Sequence, residues 1–166
     1  AVKAKDVKEE FGNKIKYILD GGTCTIGIES TIVNLTGRPT ILRLGGLDIL
    51  KIQKTLGFKM NISTNPKKKI APGQSRLHYS PGIPLRMNVT KPKNDEAFII
   101  IKKKKNKHKN YFYLTSKNNL DEAAKNLYSC LRKIKNEGYK SIAVEKIPNI
   151  GLGKAINDRL QRASKY

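Results

Sequence analysis

The sequence predicts an α/β chain built as two unequal units on either side of a long irregular stretch. Three observations predict it. Runs of β-branched and aromatic residues of strand length alternate with segments whose apolar residues recur at helical spacing. Residues 58–82 are punctuated by Asn61, Asn65, Pro66, Pro72, Gly73, Pro81 and Gly82, which interrupt any regular element. Beyond them, strand, helix, strand and helix follow in the order of a partly parallel sheet.

In chain order, Val7 and Phe11 lie four apart in a short helix over 4–11, with Gly12 at its C-cap. Ile15, Tyr17 and Leu19 alternate as a strand, and Asp20-Gly21-Gly22 turns the chain. Residues 25–35 carry Thr25, Ile26, Ile28, Thr31, Ile32 and Val33, which predicts a strand interrupted near Gly27. Gly37-Arg38-Pro39 makes a turn, and residues 40–43 form another short strand. Gly45-Gly46 opens a helix on which Leu47, Leu50 and Leu56 keep apolar spacing, and Gly57 ends it. Residues 84–89, 97–102 and 111–115 read as strands. Leu120, Ala123, Ala124, Leu127, Leu131 and Ile134 share one helix face, with Gly138 at C′. Residues 141–144 are a strand, and 151–163 a last helix striped by Leu152, Ala155, Ile156, Leu160 and Ala163. The expected division is a first unit at 1–57, a linker at 58–82 and a small Rossmann-like unit at 83–166.

Composition excludes several classes. No stretch approaches the ~18 consecutive apolar residues of a membrane span; the longest apolar run, from Ala97 to Ile101, has strand length and ends in lysines. Residues 1–12 are charged and lack the apolar segment of a secretory signal. The chain opens on Ala rather than Met, which fits a processed protein or a fragment. Cys24 and Cys130 stand alone and the histidines are His78 and His108, so no Cys/His metal spacing is present. Two reduced thiols and no signal predict a cytoplasmic protein.

The net charge is +21. It predicts attraction to polyanions such as RNA or ATP. The excess is nearly all lysine, in runs at 67–69 and 102–105 without interleaved aromatics. A solvated lysine surface and a basic RNA-binding or regulatory interaction module both fit that pattern.

Two motifs stand out. Gly151-Leu152-Gly153 lies between a strand and a helix, where dinucleotide-binding proteins keep their phosphate loop. Position 156 is Ile and the chain ends before the acidic partner, so a tight turn fits as well as a nucleotide site. The segment Gly27-Ile28-Glu29-Ser30-Thr31-Ile32-Val33 places two hydroxyls after a glutamate at a strand start. Hydroxyls there can both donate to and accept from a small polar ligand, or serve as ordinary strand residues.

Asp20-Gly21-Gly22, the Gly27 to Val33 segment and Ile41-Leu42-Arg43-Leu44-Gly45-Gly46 resemble the closing part of a YrdC-type catalytic domain. Ala71-Pro72-Gly73-Gln74-Ser75-Arg76-Leu77-His78-Tyr79-Ser80-Pro81 resembles the interdomain linker of two-domain threonylcarbamoyl-AMP synthases. Ile142-Ala143-Val144-Glu145 and Gly151-Leu152-Gly153-Lys154-Ala155-Ile156-Asn157-Asp158-Arg159-Leu160 resemble the end of their C-terminal domain. The blocks occur in the family's order. The resemblance implies the C-terminal part of a YrdC-type twisted-sheet domain, a long linker and a small Rossmann-like domain. It implies a nucleotidyltransferase of N6-threonylcarbamoyladenosine tRNA modification, joining L-threonine, bicarbonate and ATP and releasing pyrophosphate. ATP is then a substrate, Mg2+ accompanies it, and no protein metal site is expected.

By motif, Ser30 matches the family's threonine-binding hydroxyl, Arg43 a nucleotide-contacting arginine, and Tyr79 a linker position that closes over the nucleotide. Arg76, His78 and Thr31 are further candidates, and no catalytic residue is identified in this half. Leu44 stands where the family usually has proline, which predicts a looser turn for Arg43. Gln74-Ser75 replaces the family's Met and basic residue, with little effect expected on the site. The family's early Lys/Arg cluster and Ser-x-Asn segment are not among these residues. The resemblance therefore implies that this chain alone does not make the adenylate, and that an N-terminal half or the tRNA threonylcarbamoyl-transfer complex is a partner.

Overall fold

A computed structural model describes residues 1–75, 80–102 and 108–165. The elements, in order, are α1 (Ala4–Phe11), a 3-10 turn (Gly12–Lys14), β1 (Ile32–Asn34), β2 (Thr40–Arg43), α2 (Ile49–Leu56), β3 (Asn61–Ile62), β4 (Leu85–Arg86), β5 (Ala97–Lys102), β6 (Tyr111–Thr115), α3 (Leu120–Asn136), β7 (Ile142–Val144) and α4 (Gly153–Ala163). They form two sheets, ordered β1-β2-β3 and β4-β7-β5-β6. The chain is α/β, as its sequence pattern predicts.

The second sheet holds most of the apolar core. All its strand pairs are parallel. Parallel strands buried on both faces read as continuous apolar runs, and residues 97–100 of β5 are buried. Ala97, Ile99, Leu114, Ile142 and Val144 point to one face, where α3 brings Ala123, Leu127 and Ile134 and α4 brings Ile156, Leu160 and Ala163. Phe98, Ile100 and Ala143 make a smaller cluster with Val89, Tyr111 and Tyr113 on the other face. Asn119 caps α3, its side chain accepting from the Asp121 and Glu122 amides. Both thiols are free. Cys130 is packed on α3 into the core, and burial pushes its pKa up to about 12.

The first sheet is lean. Its core is Ile41, Ile49 and Met60, flanked by Val33, Leu44 and Ile52. β1 pairs with β2 antiparallel, and β2 with β3 parallel. Residues 58–82 thus contain one short strand where only irregular chain is expected.

Several local expectations are corrected. Ile15, Tyr17 and Leu19 form no strand; Tyr17 and Leu19 are 88% and 97% exposed. The strand expected over 25–35 is confined to Ile32–Asn34, and that over 84–89 to Leu85–Arg86. The α2 region turns Leu47, Leu50 and Leu56 outward and buries Ile49 instead, packed against Ile41 and Met60; Asp48 caps the helix, so Leu47 lies outside it. On α1 the buried residue is Asp6, not a Val7/Phe11 stripe. The Asp6 carboxylate accepts from the Val2 amide at 2.7 Å and pairs with Arg132 of α3 at 3.5 Å.

Glu96, buried at the start of β5, ties the sheet edge together. It accepts from Arg86 Nε at 2.7 Å and from the Lys93 amide at 2.7 Å. The Arg86 bond holds its carboxyl below the usual 4.5, outweighing burial, with the Lys93 amide assisting. A lowered folded pKa means that this stabilisation is present above the unfolded value and is lost as pH falls through the folded one. Glu96→Gln is expected to cost about 1–2 kcal/mol at pH 7, discounted for the half-exposed Arg86. Urea denaturation across pH should show the gap from wild type closing as the solution is acidified.

Candidate functional site

The antiparallel pairing of β1 and β2 brings the main candidates together. Arg43, the last residue of β2, lies opposite Ile32, the first of β1. Its side chain therefore reaches the residues just before β1. Nε donates to the Ser30 carbonyl at 2.9 Å and Nη2 to Ser30 Oγ at 3.0 Å, while Nη1 lies 3.5 Å from the Pro72 carbonyl. A guanidinium has five N–H donors in a fixed fork. Among the described residues, three of them have these partners, and Ser30 Oγ is exposed at the same place. A polar anionic ligand would find a cation and a hydroxyl in register.

The turn that aims Arg43 is held without proline. The Gly46 amide donates to the Glu29 carbonyl at 2.8 Å. Gly45 lies so close to the Ser30 and Thr31 backbone that any Cβ would collide with it. Thr31 Oγ1 donates to the Leu47 carbonyl at 2.6 Å. Thr31, a candidate ligand-binding residue by sequence, thus uses its proton to brace the turn.

The segment expected as linker is fastened beside this turn by Gln74, a position where the sequence predicts little effect on the site. Gln74 is 1% exposed. Its Nε2 donates to the Leu42 and Ser63 carbonyls at 3.1 and 3.2 Å. Its Oε1 accepts from the Ile70 and Ala71 amides at 2.9 and 3.1 Å. One amide side chain therefore joins β2, the end of β3 and the linker. Arg76, His78 and Tyr79, the remaining candidates, lie outside the described residues.

On the other side of Ser30, Glu29 points into the second unit. Its carboxylate accepts from Tyr128 Oη on α3 at 3.0 Å and from Arg159 Nε and Nη2 on α4 at 3.1 Å. Arg162, one turn further along α4, donates to the Thr64 and Ser75 carbonyls at 2.7 and 2.9 Å. A sequence signal existed for these two. Arginines 159 and 162 fall on the otherwise apolar stripe of α4, where an unpaired charge is not tolerated.

The glycine-rich turn before α4 is closely packed rather than open. Gly151 and Lys154 pack against Leu44, Gly45 and Asp48, leaving a cavity of about 10 Å3, the room of a single water at most. Gly153 sits against the Pro148 carbonyl where a side chain would not fit. The tight-turn alternative is the one the structure adopts.

A hydroxyl and a guanidinium thus meet at the edge of a sheet in an α/β chain, with residues 70–74 held beside them. Comparison with known proteins identifies its family. The family model for the threonylcarbamoyl-AMP synthase C-terminal domain matches residues 47–165. The Sua5/YciO/YrdC family model, described as telomere recombination, matches residues 1–45. Threonylcarbamoyl-AMP synthase of Pyrococcus abyssi is 32% identical over 98% of this chain and 53% of its own length. The Bacillus subtilis protein of the same name is 28% identical over 98% and 52%. The crystal structure of P. abyssi Sua5 complexed with L-threonine superposes with a TM-score of 0.83 at 30% identity, covering 99% of this chain and 54% of that one. A variant of that protein with a histidine and the following tyrosine changed to alanine superposes at 0.79, with 28% identity and 99% and 53% coverage. The chain belongs to the Sua5/YrdC threonylcarbamoyl-AMP synthase family. It spans about half the length of the curated relatives it matches.

Replacing Gln74 tests the fastening. Gln74→Leu leaves two carbonyls and two amides without their partner and is expected to cost about 2–4 kcal/mol. Urea denaturation checks the magnitude, and hydrogen exchange should accelerate at the Ile70 and Ala71 amides.

Proposed function

We propose that the protein carrying this chain makes threonylcarbamoyl-adenylate from L-threonine, bicarbonate and ATP, releasing pyrophosphate. In this reading Ser30 binds threonine, and Arg43 and Tyr79 bind the nucleotide, with Arg76 and His78 beside them. The observation that carries it is the bond of 3.0 Å between Arg43 Nη2 and Ser30 Oγ, in a chain whose P. abyssi neighbour is described in complex with L-threonine. His78-Tyr79 is this chain's His-Tyr dipeptide, and the P. abyssi variant altered at such a pair supports attention to it.

The chemistry has a clear demand. A carbamate carboxylate must attack the α-phosphate of ATP, so two anions must approach each other. A preorganised cation offsets that repulsion. Arg43 is suited to it, since bonds to Ser30 already fix its plane. The carbamate is labile, so water must be kept from it, and a linker closing over the nucleotide does this. Mg2+ arrives with the ATP phosphates. Among the described residues, no three His, Cys, Asp or Glu side chains come together to hold a metal. The reading divides the chain into a catalytic-domain part at 1–57, a linker at 58–82 and a Rossmann-like domain at 83–166. It places the reaction in the cytoplasm, with product passed to the tRNA threonylcarbamoyl-transfer complex.

Pyrophosphate release by this chain together with the N-terminal half of its family, fused to it or supplied as a separate polypeptide, tests the proposal. Release should require L-threonine and bicarbonate together. Ser30→Ala should weaken apparent threonine affinity about tenfold, and Arg43→Met should lower turnover about 10- to 100-fold. Folded protein that releases no pyrophosphate under these conditions, or that ignores both substitutions, overturns it.

A further inference from the structure

A closed ring of contacts runs through the Ser30/Arg43 site and the last helix. Arg43 joins Ser30 to the linker at Pro72. Three residues on, the Ser75 carbonyl accepts from Arg162. Asp158 receives Arg162 Nη2 on Oδ1 at 3.0 Å and Arg162 Nε on Oδ2 at 3.1 Å. The same Oδ2 receives Arg159 Nη1 at 2.9 Å. Arg159 then grips Glu29, the residue before Ser30. The second unit thus holds both walls of the site, the strand side through Arg159 and the linker side through Arg162.

We propose that Arg159 and Arg162 are positioning residues for the substrate site, and that fixing the distance between Ser30 and the linker is what the C-terminal unit does for the reaction. The proposal rests on Ser30 and Arg43 being that site.

Three observations favour positioning over plain docking. First, the units have another attachment, through Arg132 of α3 to Asp6 and Glu10 of α1, which touches neither wall. Second, Arg159 donates to Glu29 Oε2 through both Nε and Nη2, and Arg162 takes both oxygens of Asp158, so each guanidinium is held at two points, which fixes orientation as well as distance. Third, Asp158 bonds both guanidiniums, so neither wall moves without disturbing the other. Site geometry held to within about 0.5 Å needs such support behind the contacting groups. The segment fixed at Ser75 leads directly into Arg76, His78 and Tyr79.

The test compares four variants of the chain: Arg159→Met, Arg159→Lys, Arg162→Met and the double variant Glu29→Gln/Arg159→Met. Each is examined by hydrogen exchange without ligand, by melting temperature, and by calorimetric binding of L-threonine and ATP. Arg159→Met should speed exchange at residues 30–31 and 46 and weaken threonine about tenfold. Arg162→Met should speed exchange around residue 75 and weaken ATP more than threonine. The double variant removes both charges of the Glu29–Arg159 pair, so it should recover part of the melting temperature lost in Arg159→Met without recovering threonine affinity. Lysine keeps the charge but loses the fork; Arg159→Lys should therefore fold like wild type and still bind threonine poorly, which also covers the case in which Arg159→Met does not fold. Threonine affinity that simply follows melting temperature, or is restored in full by lysine, overturns positioning. If the unaltered chain, which spans about half the length of its relatives, binds neither ligand by itself, exchange decides alone: unchanged rates at residues 30–31 in Arg159→Met and Arg159→Lys overturn the clamp.

Discussion

The structure depends on one carboxylate set between two guanidiniums. Asp158 bonds Arg159 and Arg162 on the inner face of α4. Each arginine is nearly inaccessible. An arginine buried without a partner is strongly destabilising, because the charge loses water and gains nothing in return. Here each guanidinium is paired with a carboxylate. Arg159 spends its donors on Asp158 and Glu29, and Arg162 spends its donors on Asp158 and two backbone carbonyls. The polar group that would otherwise be a liability in the helix stripe becomes the join between the two sheets.

This join explains why a thin first sheet is ordered beside a well-filled second one. The second sheet has two helices packed across one face and a continuous apolar core. The first has a cluster of three buried apolar residues, with Leu42 and Val2 buried outside it. Except for Ile150, the exposed large apolar side chains among the described residues all precede residue 71. Apolar burial at roughly 25 cal/mol per Å2 cannot fix so lean a layer by itself. Directional contacts do the rest. Gln74 stitches β2 to the linker, Gly45 lets the turn lie flat on the Ser30 backbone, and Glu29 reaches across to α3 and α4.

Much of this was legible in the sequence where the information is local. The α3 and α4 stripes lie on the predicted faces, because 3.6-residue periodicity over several turns is hard to imitate. β5 and β6 were legible because an apolar run bounded by charge has few other uses. Local patterns misled where burial was not local. Ile15, Tyr17 and Leu19 alternate as a strand should, yet no strand forms there and Tyr17 and Leu19 face solvent. The leucines of α2 have helical spacing, but Asp48 caps the helix and Ile49 is the residue that turns inward. At the site, Ser30 and Arg43 were legible through resemblance, and strand register explains why they meet. Gln74 looked dispensable because an amide side chain announces no role until its four partners are placed around it. Arg159 and Glu29 lie 130 residues apart, and no spacing rule connects such a pair.

The arrangement also separates what makes the fold from what makes the site. Binding groups work when their supports are rigid and their free donors are few and aimed. Arg43 meets that condition unusually late in a strand, where a side chain would ordinarily sway in solvent. Its plane is set by Ser30, Ser30 by the Gly45 turn and Glu29, and Glu29 by α4. Hydrogen bonds of about 3 Å join Arg43 to Ser30, the Gly46 amide to the Glu29 carbonyl and Arg159 to the Glu29 carboxylate, and the chain itself joins Glu29 to Ser30. A chain of such contacts transmits position only if it has no slack, and Asp158 removes the slack by closing the path on the linker side through Arg162. The last helix, remote in sequence from every substrate-binding candidate, is therefore part of what holds the proposed site in place.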